Sequence, residues 1–251
     1  MNMGPAAKEQ TSCSAASKPP LCFISHAWAN GGHDFAVQLC NHLRSHRINT
    51  WIDSKEVPVG TSVRHSYREG ILRTCDAVLA LVTPEWHTSE ACQDELHLAL
   101  KRQRSEALHI FPVHRNSSTT PVASLGDACY VVLENLDDEP TLASLAEAIR
   151  RGTIVNRLAV ALLRQTARER RESAKLLGQM ADPLSEACLG RSLSEDSDPL
   201  TRYWSAIALG RIGTPGACGV LRSAEAKEED DFVLEGINYA LEQACKAGDT
   251  R

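Results

Sequence analysis

The segment "AVLALVTPEWHTSEACQDELHLAL", residues 77–100, decides the fold. From Ala77 to Val82 it is apolar without a break, and Thr83 closes the run. A strand with one wet face would alternate, whereas an unbroken run belongs to a strand covered on both faces of a parallel sheet. After Pro84 the rhythm changes, with Cys92, Leu96 and Leu100 recurring as one face of a helix. Strand, turn and helix in this order make the building unit of a parallel α/β sheet. One residue breaks the pattern. Glu95 is a carboxylate placed where the buried face of that helix begins.

The same unit recurs on either side. Further apolar runs are "LCFIS" (21–25), "INTWID" (48–53), "HIFPV" (109–113) and "CYVVLE" (129–134). Between them lie helical stripes, Phe35, Leu39 and Leu43 in one place and Leu142, Leu145, Ala146 and Ile149 in another. The alternation predicts a doubly wound α/β domain over residues 19–150. The polar, turn-rich stretch at 114–127 predicts an irregular fourth crossover. After residue 151 the strands stop and a period of 32 residues takes over, relating Leu177-Gly178 to Leu209-Gly210 and then to Leu241. Pro183 and Pro215, Leu189 and Leu221, and Arg170 and Arg202 keep the same step. A helix pair of this length buries its apolar face only against neighbouring pairs, so residues 151–251 are read as a small all-α repeat array.

Composition narrows the partners. With 43% hydrophobic and 24% charged residues in 251, the chain has an ordinary globular make-up. A net charge of −5 supplies no general attraction for nucleic acid or an acidic membrane. No segment reaches the roughly 18–20 apolar residues that span a bilayer. Residues 1–18 lack the apolar core of a secretion signal and read as a loose tail. The nine cysteines are scattered with no C-x-x-C pair, an arrangement expected of reduced thiols in a cytoplasmic protein, and no His falls at zinc-ligand spacing with them.

Three separated motifs carry a family resemblance. "LCFISHAW" on the first strand, "TWIDSKEVPVGTSVRHSYREGI" from the second, and "VLALVTPEWHTSEACQDEL" across the third resemble a TIR domain. The matching positions are Phe23-Ile24-Ser25-His26, Asp53, Gly60, and Ser89-x-x-Cys92-x-x-Glu95-Leu96. Cys75 stands where the family commonly has Ser, and Thr83-Pro84 replaces Ser-Pro. The resemblance spans roughly residues 20–150 and implies a flavodoxin-like five-stranded parallel sheet. "DPLTRYWSAIALGRIGTPGACGVLRSA", residues 198–224, resembles HEAT-like repeats of the bilin-lyase type.

In open parallel sheets ligands sit beyond the carboxyl ends of the strands, near the switch in strand order. Those ends are Ser25-His26-Ala27-Trp28, Asp53-Ser54-Lys55 and Thr83-Pro84-Glu85-Trp86. Trp28 and Trp86, read as loop residues, are expected to stack on a nicotinamide or adenine ring, while Trp51 reads as core. The resemblance implies that Glu95 is the catalytic carboxylate of an NAD+-cleaving enzyme. Ser25, His26, Trp28, Asp53, Lys55, Trp86, Ser89 and Cys92 are then expected around the substrate. NAD+ is the substrate, and neither a cofactor nor a metal is expected. One carboxylate suffices for this chemistry, because the leaving nicotinamide is already a cationic pyridinium and departs neutral. The remaining ribosyl cation needs only negative charge and held hydroxyls.

Other readings are weaker. A receiver domain needs clustered acids after the first strand, where this chain has Ser-His-Ala-Trp. A Ser/His/Asp hydrolase built from Ser25, His26 and Asp53 has no G-x-S-x-G elbow, and adjacent strand residues point to opposite faces. The main alternative is a TIR domain that only binds other TIR domains. The family implies activation by self-association through the BB loop, Lys55 to Ser62, with Val57, Pro58 and Gly60 as the assembly loop. The repeats are expected to control assembly or bind an activating partner, a pairing that fits a prokaryotic NAD-depleting defence protein.

Overall fold

A computed structural model of the chain describes residues 18–52, 72–116, 120–126 and 130–248, with side chains as far as Ala244. The tail to residue 17 and the expectations on Asp53, Lys55, Val57, Pro58 and Gly60 lie outside the described residues. Five parallel strands pair in the order β2-β1-β3-β4-β5. They are β1 Leu21–His26, β2 Asn49–Ile52, β3 Ala77–Val82, β4 His109–His114 and β5 Val131–Val132. The expected flavodoxin-like sheet is therefore present.

The unbroken apolar run of β3 is explained by its surroundings. Ala77, Leu79 and Leu81 face one core with α1 (Gly32–Ser45) and the start of α4 (Glu139–Arg164). Val78, Ala80 and Val82 face another with α2 (Pro84–Thr88) and α3 (Glu90–Glu106). The fifth run is shorter as a strand than its apolar length suggests. It pairs only as Val113 with Val131 and His114 with Val132, after which the Asn135 side chain accepts the Asp137 N–H and turns the chain into α4. Between β4 and β5 the described residues contain one 3-10 turn, Ala123–Leu125, in the stretch expected to be irregular.

No linker separates the sheet from the repeats. The expected division at residues 150/151 falls inside α4, a single 26-residue helix. Its first half buries Leu142, Leu145, Ala146 and Ile149 against the sheet, and its second half buries Val155, Ala159 and Leu162 in the repeat core. Beyond it follow α5 (Ala167–Met180), α6 (Glu186–Glu195), α7 (Pro199–Ile212), α8 (Pro215–Glu225) and α9 (Asp231–Gly248). Thr166, Asp198 and Thr214 cap α5, α7 and α8, with proline opening the last two.

Two features set the 32-residue period. A Cβ on Gly178 would stand 3.0 Å from Ala208, and one on Gly210 would stand 2.8 Å from Ala240, so α5, α7 and α9, the equivalent helices of successive repeats, approach closely at these glycines. Arg170 grips Asp196 through two hydrogen bonds of 2.7 Å, and one period later Arg202 grips Glu228 through two of 2.9 Å. Planar guanidinium and carboxylate groups match in this bidentate geometry, fixing the spacing between helices.

The repeats dock on the amino ends of the strands. Arg157 of α4 makes a bidentate pair with Asp76, just before β3, and donates to the carbonyls of Lys18 and Pro19, just before β1. His109, opening β4, meets Asp182 at 3.0 Å. At the carboxyl end of α3, Glu106 accepts from Arg164 at 2.7 Å and its backbone carbonyl accepts from Asn156.

Gly210→Ala forces α7 and α9 apart and is expected to cost about 1–3 kcal/mol. Gly219→Ala, at a helical position with nothing within 4 Å of its Cβ, is expected to stabilise, by about 0.5–1 kcal/mol. Urea unfolding of both variants checks the pair, and equal midpoints would contradict the close approach. Acid should also loosen the array. Burial raises the carboxyls of Asp182, Asp198 and Glu228, but His109 for the first, Thr201 and Arg171 for the second, and Arg202 for the third outweigh it and hold all three below their ordinary range. Groups depressed in the folded state stabilise fully above their unfolded values of about 4, and that contribution is lost as pH falls through the folded values. The melting temperature should therefore drop below about pH 4 and drop less in Glu228→Gln. A melting temperature that does not change across that range would refute the assignment.

Candidate functional site

The site is built where β1 and β3 end. Thr83 follows β3 and caps α2, its hydroxyl accepting the Trp86 N–H at 3.2 Å, with Pro84 in the first turn. This single turn rolls Trp86 inward instead of leaving it in a loop. Ser89 then caps α3 by accepting the Cys92 N–H at 3.4 Å, and the Gln93 amide ties the two helices by donating to the Trp86 carbonyl at 3.0 Å. The outcome is a helix that lowers Glu95 onto the end of β1.

Glu95 is only 3% exposed. Its Oε2 accepts the Ser25 hydroxyl at 2.6 Å, and Ser25 Oγ in turn accepts the Trp86 indole N–H at 3.0 Å. Three elements, β1, α2 and α3, thus meet in one hydrogen-bonded chain. A carboxylate withdrawn from water is tolerated only when hydrogen-bonded, so this arrangement is the reverse of a solvated acid on a helix surface. A buried, specifically partnered acid at the carboxyl end of a strand is a candidate functional group.

The expected residues divide between the two faces of the sheet. Ser25, Trp86, Cys92 and Glu95 gather on the α3 side. His26, the next residue along β1, turns to the α1 side, where its Nε2 lies 2.9 Å from Nδ1 of His33. Trp28 stacks on the His33 ring at 4.0 Å and 10°. His33 was not anticipated from the sequence. The signal for it was the "ANGG" turn before α1, since Asn30 and Gly31 both adopt positive φ (52° and 73°) and bend the chain back beside the strand end. From the same turn the Asn30 amide donates to the Glu85 carboxylate, joining the loops after β1 and β3 across the switch point. Its own helix-terminal N–H first, then Asn30 and Thr83, hold the Glu85 carboxyl below the usual range.

The structure places the remaining expected residues as follows. Trp86 is fully buried. Cys92 is 2% exposed and packs with Leu96 and Val78 in the core. Ser89 serves as a helix cap. Trp51, read as core, is half-buried and stacks on Phe23 at 5.2 Å. Trp28, with His33 against one face of its ring, remains partly exposed at the mouth. Burial pushes the thiol of Cys75 up to about 11 and that of Cys188 up to about 12, which removes both as nucleophiles near neutral pH. Among the described residues no group of three or more His, Cys, Asp or Glu could hold a metal ion, and no helix is long and apolar enough to cross a membrane.

The model of the TIR domain matches residues 22–149, just over half of the chain. The chain belongs to the TIR domain family. A HEAT-repeat model matches residues 155–242, so the TIR domain is followed by HEAT repeats. Among solved structures, the TIR domain of the Toll-related receptor TRR-2 from Hydra magnipapillata is 16% identical with a TM-score of 0.42, and the match covers 51% of this chain and 97% of that one. Human deoxyhypusine hydroxylase in complex with glycerol is 19% identical with a TM-score of 0.36, covering 84% of this chain and 75% of that one. No curated protein matches the chain.

Proposed function

We propose that the TIR domain cleaves the bond between nicotinamide and ribose in NAD+, with Glu95 as the working carboxylate. The observation that carries this reading is the burial of Glu95 beside the carboxyl end of β1, where its Oε2 is held by Ser25. As the C1′–N bond breaks, its electron pair leaves with nicotinamide, which becomes neutral. The ribosyl carbon is left electron-poor, and the Glu95 carboxylate stabilises it through space. Water adding at C1′ and losing a proton gives ADP-ribose; an atom of the same molecule adding there gives a cyclic form.

The low exposure of Glu95 also favours a second feature. The sugar reaches this carboxylate only after the mouth between the loops following β1 and β3 opens. Self-association is the proposed trigger, and the HEAT repeats, fixed to the opposite end of the sheet, are the proposed assembly element. The competing reading is a TIR scaffold that binds its own kind without chemistry.

Incubation of the full-length protein with NAD+, followed by chromatography, is expected to release nicotinamide under conditions that drive assembly. Glu95→Gln and Glu95→Ala should lose at least about 100-fold in turnover, an electrostatic term of about 3 kcal/mol, with unchanged circular dichroism. Retained turnover in either variant overturns the role of Glu95, and assembled wild type that leaves NAD+ intact supports the scaffold. The repeat role is tested by ending the chain after Arg164, with Val155, Ala159 and Leu162 made polar to solvate the exposed face. Loss of the assembled mass in light scattering is expected, and an unchanged mass with unchanged turnover would remove that role.

A further inference from the structure

We propose that Trp86 and Ser25 are positioning residues that hold Glu95 in its ionised form and in one orientation. This rests on the reading of Glu95 as the working carboxylate. Both residues were expected around the substrate, and the positioning role follows from proton direction. An indole N–H can only donate, and it occupies one lone pair of Ser25 Oγ at 3.0 Å. A serine hydroxyl has a single proton, and an ionised carboxylate can only accept. With Glu95 ionised, the 2.6 Å contact directs the hydroxyl proton at Oε2. Each bond polarises the next in this water-poor setting, so the indole strengthens the serine as a donor.

The titratable and polar groups of the packed elements are disposed as follows. On α2, Glu85 turns outward to Asn30, and His87 is engaged with the Thr120 carbonyl at 2.9 Å. On β1, His26 faces the opposite side of the sheet toward His33. On β3 the facing residues Val78, Ala80 and Val82 are apolar, and on α3 the neighbouring Cys92 is buried with them. The Ser25 hydroxyl donates to Oε2 at 2.6 Å. Hydrogen bonds to the charged form lower a carboxyl's proton affinity, so removing the donor should raise it.

The test titrates full-length protein labelled with carboxyl-13C glutamate, with the Glu95 signal identified by its loss in Glu95→Gln. Ser25→Ala should raise the Glu95 midpoint by about one pH unit or more, a tenfold gain in proton affinity. Trp86→Phe keeps an aromatic side chain of smaller volume and deletes the N–H, so it should move the midpoint in the same direction by less. Ser25→Thr, which restores a hydroxyl, should return it toward wild type. In the turnover assay the acid limb of kcat should shift with the midpoint while KM for NAD+ stays constant, because no substrate contact is lost. Midpoints equal to wild type in both Ser25→Ala and Trp86→Phe overturn the relay, even if Glu95→Gln still abolishes nicotinamide release. A shifted midpoint in a protein that releases no nicotinamide upholds the relay and instead removes the NAD+ reading.

Discussion

A carboxylate taken out of water must find hydrogen-bond donors or give up its charge, and Glu95 is organised around that constraint. Its donor stands on β1, the donor to that donor stands on α2, and Glu95 itself rides on α3. The caps at Thr83 and Ser89 set where those two helices begin and hence where the chain of bonds can close. Sheet order does the rest, because it puts the switch point, where open α/β sheets bind ligands, between β1 and β3.

The strands were legible because burial on both faces leaves continuous apolar runs, a signal that needs no partner to be read. The repeats were legible because a period is visible wherever it is kept, here by Gly178 and Gly210 in one row and by Arg170 and Arg202 in another. Glu95 was picked out by a motif, and its surroundings could not be. Trp86 was read as a loop aromatic because five residues are too few to show helical spacing, yet one capped turn suffices to bury it. Cys92 follows the same stripe as Leu96 and could have been assigned to the core on spacing alone. His33 is seven residues from His26 in sequence, and only the positive φ angles at Asn30 and Gly31 bring the two rings together.

The two halves of the site answer to different forces. On the α3 side a dry hydrogen-bond chain holds an acid. On the α1 side His26, His33 and Trp28 form an aromatic cluster, with His26 buried and the other two partly exposed. Strand alternation makes this division unavoidable, since residues 25 and 26 cannot face the same way. Any ligand that uses both must lie across the top of β1, beneath the bridge from Asn30 to Glu85.

The undivided helix α4 has a geometric consequence for how such proteins can vary. Because one rod serves both bodies, the angular setting of the array is locked to the sheet by residue count. Each residue added to or removed from the middle of that rod would twist the array by about 100° and shift it by about 1.5 Å. At Gly152, where a Cβ would stand 2.7 Å from the His109 ring, the rod passes close to the start of β4. Length changes are thus tolerable in surface turns but not here, where one codon would swing the whole array to another quarter of the molecule.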